Sequence, residues 1–347
     1  MVAGNTGQEC LFRGSPLYWE RARNIRLGYR ELDFFSINLR PICNSQCSNC
    51  LSGMGNPQNV GGTLSTEETQ DLISQVKNLG VLAIEISGEG EPLLDRRRLE
   101  EIIRYNHQLG FVTTLFSNGS LLNREILEFF VNNDVSLAIS LAYFNREDYE
   151  EDTCRSGSYA DLIRNINLAR EIYSRGIVEE NGYSIKRLAI HSIANARNLD
   201  QIPLIAEFCG EDIFYSVAPI ANVGNAIEHP ELTQINPVMI QYVIDQYSGG
   251  NLIFSDSARE RYGHNLCGTF IYGLGIRHDG EVLFDAHSFT TSGILGNVRN
   301  LGLRELIRRQ RELRNLFYEH FSSGNFCPLR DPNYQRFVQY IRGGLNE

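Results

Sequence analysis

Between residue 34 and about residue 225 the chain switches repeatedly between short apolar runs and longer amphipathic stretches. Phe34 to Leu39 reads as a first strand. Ser65-Thr66-Glu67-Glu68 has the spacing of a capping box, so a helix is expected from there to Leu79, with Gly80 as its stop. Val81 to Ile86 is a short apolar run of the buried-strand kind, followed by a helical period from about Arg98 to Gln108. The same alternation predicts strands at Phe111 to Phe116, Val135 to Leu141, Ile185 to Ile193 and Ile213 to Val217. Helices are expected between them at Arg124 to Val131, Tyr159 to Tyr173 and Asp200 to Phe208. Six strands alternating with helices imply an α/β fold with a parallel sheet and right-handed crossovers. In such sheets chemistry sits at the C-terminal strand ends.

The flanks read differently. Residues 1 to 32, with Tyr18, Trp19 and several arginines, suggest a short N-terminal wrap, too small for a peptide-binding domain. Past about residue 250 the pattern changes. Cys267-Gly268 opens an apolar run to Ile276, and His278-Asp279-Gly280 leads into Glu281 to Phe284. Asp-Gly between two apolar runs predicts a hairpin. A helix is expected from about Leu303 to Phe321, before Cys327-Pro328-Leu329-Arg330. The resulting division is an N-terminal extension (1–32), an α/β unit (33–235) and a C-terminal α+β cap (236–347).

Composition narrows the function classes. The chain has 347 residues, 42% hydrophobic and 21% charged, ordinary for a globular protein with a large core. No apolar run approaches the ~18 residues needed to cross a bilayer, and Met1 to Gly7 lacks the look of a signal peptide. The net charge of −10 argues against nucleic acid, whose phosphates need a basic surface, and suits a cationic substrate. Only Lys77 and Lys186 are lysines among 32 basic residues, which disfavours Schiff-base chemistry. Eight cysteines, three of them clustered, point to a reducing, cytoplasmic setting and a metal centre.

The cluster is Cys43, Cys47 and Cys50, within Pro41-Ile-Cys-Asn-Ser-Gln-Cys-Ser-Asn-Cys50. On a helix these positions share a face as buried hydrophobes, but the sulfurs would spread over about 10 Å of axis. Pro41, Asn44, Ser45, Ser48 and Asn49 prefer turns, and a loop can wrap three thiolates around one centre. Zinc in a structural site takes four protein ligands, and no fourth lies nearby. A zinc-stabilised, non-catalytic binding protein remains one alternative.

Cys-x3-Cys-x2-Cys resembles the signature of the radical S-adenosylmethionine superfamily. The resemblance implies a [4Fe-4S] cluster on Cys43, Cys47 and Cys50, with one iron open to S-adenosylmethionine, and a partial (β/α)6 barrel of the TIM type. It also implies an electron donor such as flavodoxin or ferredoxin. Asn49 stands where the family usually has an aromatic residue. After the second strand, Ser87-Gly88-Glu89-Gly90-Glu91-Pro92 is similar to the family's Gly-Gly-Glu-Pro turn. Its glycines admit close backbone approach, and Glu89 or Glu91 can receive the methionyl ammonium. Ser117-Asn118-Gly119 resembles the Thr-Asn-Gly turn after the third strand. Ser140 matches a position used for ribose or carboxylate, and Arg155 one used for carboxylate. Asn198 and the segment Gly224-Asn225-Ala226 match the fifth and sixth units, the latter against adenine. His191, at a strand end, is either an acid–base group or a structural histidine.

The C-terminal third resembles the twitch or SPASM extensions, which hold an auxiliary four-iron cluster. Of the four thiolate positions, Cys267 and Cys327 are present, while Asp285 and Arg330 occupy the others. A second [4Fe-4S] cluster on Cys267, Asp285 and Cys327 is thus one expectation, and a cluster-free cap the other. Cys267 and Cys327 are also candidate hydrogen donors, with Cys154 and Cys209 behind them. The resemblance implies abstraction of a hydrogen atom from a small polar substrate in natural-product or carbohydrate biosynthesis, of amino-sugar or aminocyclitol type. Oxidation, epimerisation and elimination all remain open. Maturation of a ribosomally made peptide is the rival within the same family.

Overall fold

The computed structural model describes residues 9–53, 62–174, 178–247, 252–254, 272–284, 293–324 and 328–344. A short strand β1 (Cys10–Phe12) is followed by β2 (Phe34–Asn38), α1 (Thr66–Asn78) and β3 (Ala83–Ser87). Ser65 caps α1 through the Glu68 amide while the Glu68 carboxylate returns to the Ser65 amide, the capping box expected there. Next come α2 (Arg96–Gln108), β4 (Val112–Ser117), α3 (Arg124–Asn132) and β5 (Val135–Ser140). The chain continues through α4 (Arg146–Thr153), α5 (Ser158–Tyr173), β6 (Val178–Glu180), β7 (Tyr183–Lys186) and β8 (Leu188–Ala194). It then forms α6 (Ile202–Cys209), β9 (Phe214–Pro219), α7 (Pro237–Tyr247) and β10 (Leu252–Phe254). The C-terminal part contributes β11 (Gly273–Ile276), β12 (Glu281–Leu283), β13 (Ile294–Asn297), α8 (Leu303–His320) and α9 (Tyr334–Gly344).

Ten strands form one sheet in the order β10-β9-β8-β5-β4-β3-β2-β11-β12-β13, parallel from β10 through β11. The sheet is open, a partial barrel. Outward-facing side chains such as Ile84, Ile86, Leu115, Leu137, Ile139 and Ile190 pack under the helices in one continuous core. Fully burying each of these side chains is worth roughly 1.5–3 kcal/mol.

Several elements differ from the sequence reading. Helix α4 was not expected, because Arg146 to Thr153 is nearly all polar and has no apolar stripe; the Asn145 side chain caps it through the Asp148 amide. The strand expected from Ile185 breaks at Arg187. Its first half, β7, pairs instead with β1 and β6 in a separate three-stranded sheet. The N-terminal wrap closes the bottom of the barrel. Leu11, Tyr18, Trp19 and Leu27 pack on Ala83 and Val112, and Phe12 packs on Ala138, Ala189 and Phe214. The expected hairpin forms at Asp279-Gly280, with Gly280 at φ +88. Its first strand, β11, pairs parallel with β2, so the C-terminal part extends the barrel sheet itself.

Candidate functional site

The polar loops meet at the C-terminal ends of β2, β3, β4, β5 and β9. The cysteine loop after β2 is held as irregular backbone, and Cys43, Cys47 and Cys50 are free, half-buried thiols. Burial pushes the Cys43 thiol up, with Glu91 and Cys50 adding to the shift. Burial pushes Cys47 well up, and Asp152, Cys50 and Cys43 add to it. The three sulfurs therefore sense one another. A bound metal reverses this preference, because a coordinated thiol gives up its proton. Among the described residues no three His, Cys, Asp or Glu side chains are grouped tightly enough to share one metal ion. A four-iron cluster offers each thiolate its own iron and so asks for a wider triangle than a single zinc ion.

Two neighbouring loops grip this one through backbone. The Glu91 amide donates to the Ile42 carbonyl at 2.7 Å, and a Cβ on Gly90 would lie 2.2 Å from that same oxygen. On the far side the Asn225 amide donates to the Cys50 carbonyl at 3.0 Å, and Asn225 Nδ2 to the Cys47 carbonyl at 2.8 Å. A Cβ on Gly224, which sits at φ +59, would come within 2.0 Å of the Cys50 oxygen. Only glycine fits either contact. From below, Asp152 accepts from the Ser48 hydroxyl, and the Gln46 amide donates to the Thr153 carbonyl at 3.1 Å. The polar helix α4 thus serves the site.

The two glutamates of the Ser87–Pro92 loop have separate duties. Glu91 is fully buried and accepts from the Asn118 amide at 2.7 Å, the Ser117 hydroxyl at 2.9 Å and the Leu93 amide at 3.1 Å. Burial pushes its carboxyl up against those three donors. A carboxylate offers about four acceptor sites, so roughly one is left for a ligand. Glu89 turns away from the cysteines. It accepts from Arg277 Nε at 2.8 Å, the His278 amide at 2.7 Å and His278 Nδ1 at 2.8 Å, all on the C-terminal hairpin. Burial opposes its ionisation, but His278 and Arg277 outweigh burial and hold the carboxyl below its usual range. Sequence left these two acids equivalent; tertiary contacts separate them.

Asn118 Nδ2 reaches Asn44 Oδ1 at 2.8 Å and stands 4.0 Å from the Cys43 sulfur. Ser140 is exposed at the end of β5, with His191 opposite it in register. Arg155 follows α4, close enough to Glu91 to lower its pKa, and its Nη1 is buried with no hydrogen-bond partner. Asn198 is used internally, donating to the Ala142 and Ile193 carbonyls at 2.8 and 2.9 Å and accepting from the Asn195 amide at 2.8 Å. Gly88 stands in open space, where an added Cβ would meet only the Gly90 oxygen at 3.9 Å. Cys154 is exposed beside the Gln46 carbonyl, while Cys209 lies in the core with its thiol pushed up to about 12 by burial. Cys267, Asp285 and Cys327 lie outside the described residues. The partners that sequence reasoning missed are Asn38, whose side-chain oxygen accepts from the Glu89 amide at 3.2 Å, Ile42, Arg277 and His278. Only the Asp279-Gly280 turn marked where the last two would be.

These features define an open α/β barrel with a three-cysteine loop at the mouth. Residues 37–180 match the model of the Radical SAM superfamily. GTP 3',8-cyclase of Synechocystis sp. is 28% identical over 210 residues, 60% of this chain and 60% of that protein. The chain thus spans about 60% of the length of the curated relative it matches. Streptococcus suis SuiB, solved with the precursor peptide SuiA, superposes with a TM-score of 0.63 at 17% identity, over 89% of this chain and 72% of that one. The anSMEcpe structure with bound AdoMet gives a TM-score of 0.57 at 14% identity, over 88% of this chain and 95% of that one. Residues 37–180 thus carry a Radical SAM domain.

The residues fit what that family implies. Three free thiols share one loop, a glycine-walled space opens beside Gly88, and a buried guanidinium nitrogen lacks a partner. Arginine's planar fork matches a carboxylate, so Arg155 is suited to the carboxylate of S-adenosylmethionine.

Proposed function

We propose that this enzyme removes a hydrogen atom from a small, polar, amine-bearing substrate of the amino-sugar or aminocyclitol kind. A [4Fe-4S] cluster and S-adenosylmethionine, when bound, supply the 5′-deoxyadenosyl radical for that abstraction once an electron donor such as flavodoxin or ferredoxin delivers an electron. The chain's own residues do the rest. Cys43, Cys47 and Cys50 hold the cluster, and Glu91 with Gly88 and Gly90 receives the methionyl ammonium. Arg155 receives the methionyl carboxylate, and Ser140, exposed at the end of β5, contributes to the ribose or carboxylate. The single observation that carries this reading is the cysteine loop clamped between Gly90 and Gly224, with the unpartnered Arg155 nitrogen beside Glu91. We further propose a cluster-free C-terminal extension, because a carboxylate rarely replaces thiolate on iron–sulfur clusters. Cys267 or Cys327 would then be available to return a hydrogen atom.

The test is anaerobic reconstitution followed by S-adenosylmethionine and a chemical reductant. 5′-Deoxyadenosine should form, with about four irons per chain. A colourless protein carrying zinc, or no nucleoside product, would sink the reading. Iron near eight per chain, falling by half in Cys267→Ala, would instead establish the second cluster. Peptide maturation is the competing reading, and pull-down of a precursor peptide would favour it.

A further inference from the structure

The three thiols of the cysteine loop have unlike surroundings. Cys43 accepts from the Ser45 amide, and Asn118 Nδ2 stands 4.0 Å from its sulfur. Cys47 lies near the Asp152 carboxylate, which adds to the burial that pushes its thiol up. Cys50 has a hydroxyl beside it, with Ser52 Oγ 3.2 Å from the sulfur. Ser52 is 3% exposed, so this contact is made away from water, where a hydrogen bond is stronger. The backbone seats that hydroxyl twice over. The Gly53 amide donates to the Cys50 carbonyl at 3.3 Å, closing a turn that carries Ser52. The Asn225 amide donates to the same carbonyl at 3.0 Å, and a Cβ on Gly224 would meet the Leu51 oxygen at 2.6 Å. The turn is thus fixed both locally and by the segment that follows β9.

We propose that Ser52 is a positioning residue that sets the reduction potential of the iron–sulfur cluster, through a hydrogen bond from its hydroxyl to the Cys50 thiolate. This rests on the cluster assignment of the proposed function. In the free thiol either atom can donate, but a coordinated thiol has given up its proton. Cys50 then only accepts, and the Ser52 hydroxyl must donate. Reduction brings one electron from the donor protein to the cluster and moves no proton. The reduced state therefore carries one more negative charge, part of it on the thiolate sulfurs. A donor to one of those sulfurs holds the reduced state more strongly than the oxidised one, and so raises the potential. A loosened loop acts differently from a lost donor. Water entering beside the cluster also favours the more negative state and moves the potential up, whereas loss of the hydroxyl alone moves it down.

The experiment is an anaerobic redox titration of the reconstituted full chain without S-adenosylmethionine, followed by electron paramagnetic resonance of the reduced cluster. Wild type, Ser52→Ala and Ser52→Thr are compared, with iron content measured on each. Ser52→Ala should keep wild-type iron while its equilibrium constant for reduction falls about threefold or more, about 28 mV at 59 mV per tenfold for one electron. Ser52→Thr keeps a hydroxyl and should lie closer to wild type than to Ser52→Ala. A fall of less than about threefold, a shift upward, or a Ser52→Thr variant that holds iron yet shifts as far as alanine overturns the proposal. Loss of iron from Ser52→Ala overturns it too, since the hydroxyl would then be a structural part of the loop. Failure of the wild type itself to hold about four irons per chain strikes the underlying cluster assignment instead.

Discussion

At the scale of single residues, two glycines decide whether the cysteine loop keeps its shape. Gly90→Ala would drive a methyl into the Ile42 carbonyl, and Gly224→Ala would add the cost of a positive φ to a clash with Cys50. Each should lose about 1–3 kcal/mol of stability and, in the reconstituted protein, retain markedly less iron. Gly88→Ala is the control, since its Cβ meets open space; its iron content should match the wild type. Equal iron in all three would contradict the clamp. Arg155→Gln should weaken S-adenosylmethionine binding by about tenfold, read by equilibrium titration, with iron content unchanged. The glycine-rich turn and Arg155 were visible in the sequence as motif positions. What Gly90 touches was not, because Ile42 lies on a different loop.

At the scale of elements, the contact between the Ser87–Pro92 loop and the β11–β12 hairpin is an ionic clamp spanning 188 residues of sequence. Glu89 is 1% exposed and accepts from the buried His278 amide and ring, so removing it leaves those donors without their acceptor, while Arg277 keeps only Glu281. Glu89→Ala should cost about 3 kcal/mol, measured by urea unfolding of the apo protein. A double-mutant cycle with His278→Ala should show coupling above about 0.5 kcal/mol. Additive losses would mean that the two residues act independently. The N-terminal floor makes a second prediction. Phe12 is buried and stacks on Phe214 at 5.7 Å between ring centroids, so Phe12→Ala should cost about 3 kcal/mol. In the sequence this segment shows only as a wrap, and its role as a plug is not legible there, because β1 finds its partner, β7, more than 170 residues further along the chain.

At the scale of the molecule, acid stability follows from the same clamp. Glu89 is held below the ordinary carboxylate value, so its contribution is fully present above about pH 4.5 and is lost as pH falls through its lower folded pKa. Glu68, held to about 2 mainly by its bonds to Arg299, acts in the same direction, but 40% side-chain exposure leaves it a small share. Glu91, pushed up by burial, works oppositely, because its protonation favours the folded form as pH falls. Urea midpoints of the apo protein measured from pH 6 to pH 3 should fall for the wild type and fall less steeply for Glu89→Gln. Parallel curves would remove Glu89 from the account. Among the described residues no helix is long and apolar enough to cross a membrane.

The alternation of strands and helices, the Ser65 cap, the Asp279-Gly280 turn and the three-cysteine loop were all set by the sequence. Each depends on the order of neighbouring residues, through backbone preference or a side chain reaching its own turn. Tertiary structure alone decided that Glu89 bonds the hairpin while Glu91 bonds Ser117 and Asn118, and that β11 joins β2 to lengthen the sheet. It also set Phe12 against Ala138, Ala189 and Phe214 as part of the floor. Those assignments join residues far apart in the chain, and which carboxylate meets which cation depends on crossovers that no local pattern encodes.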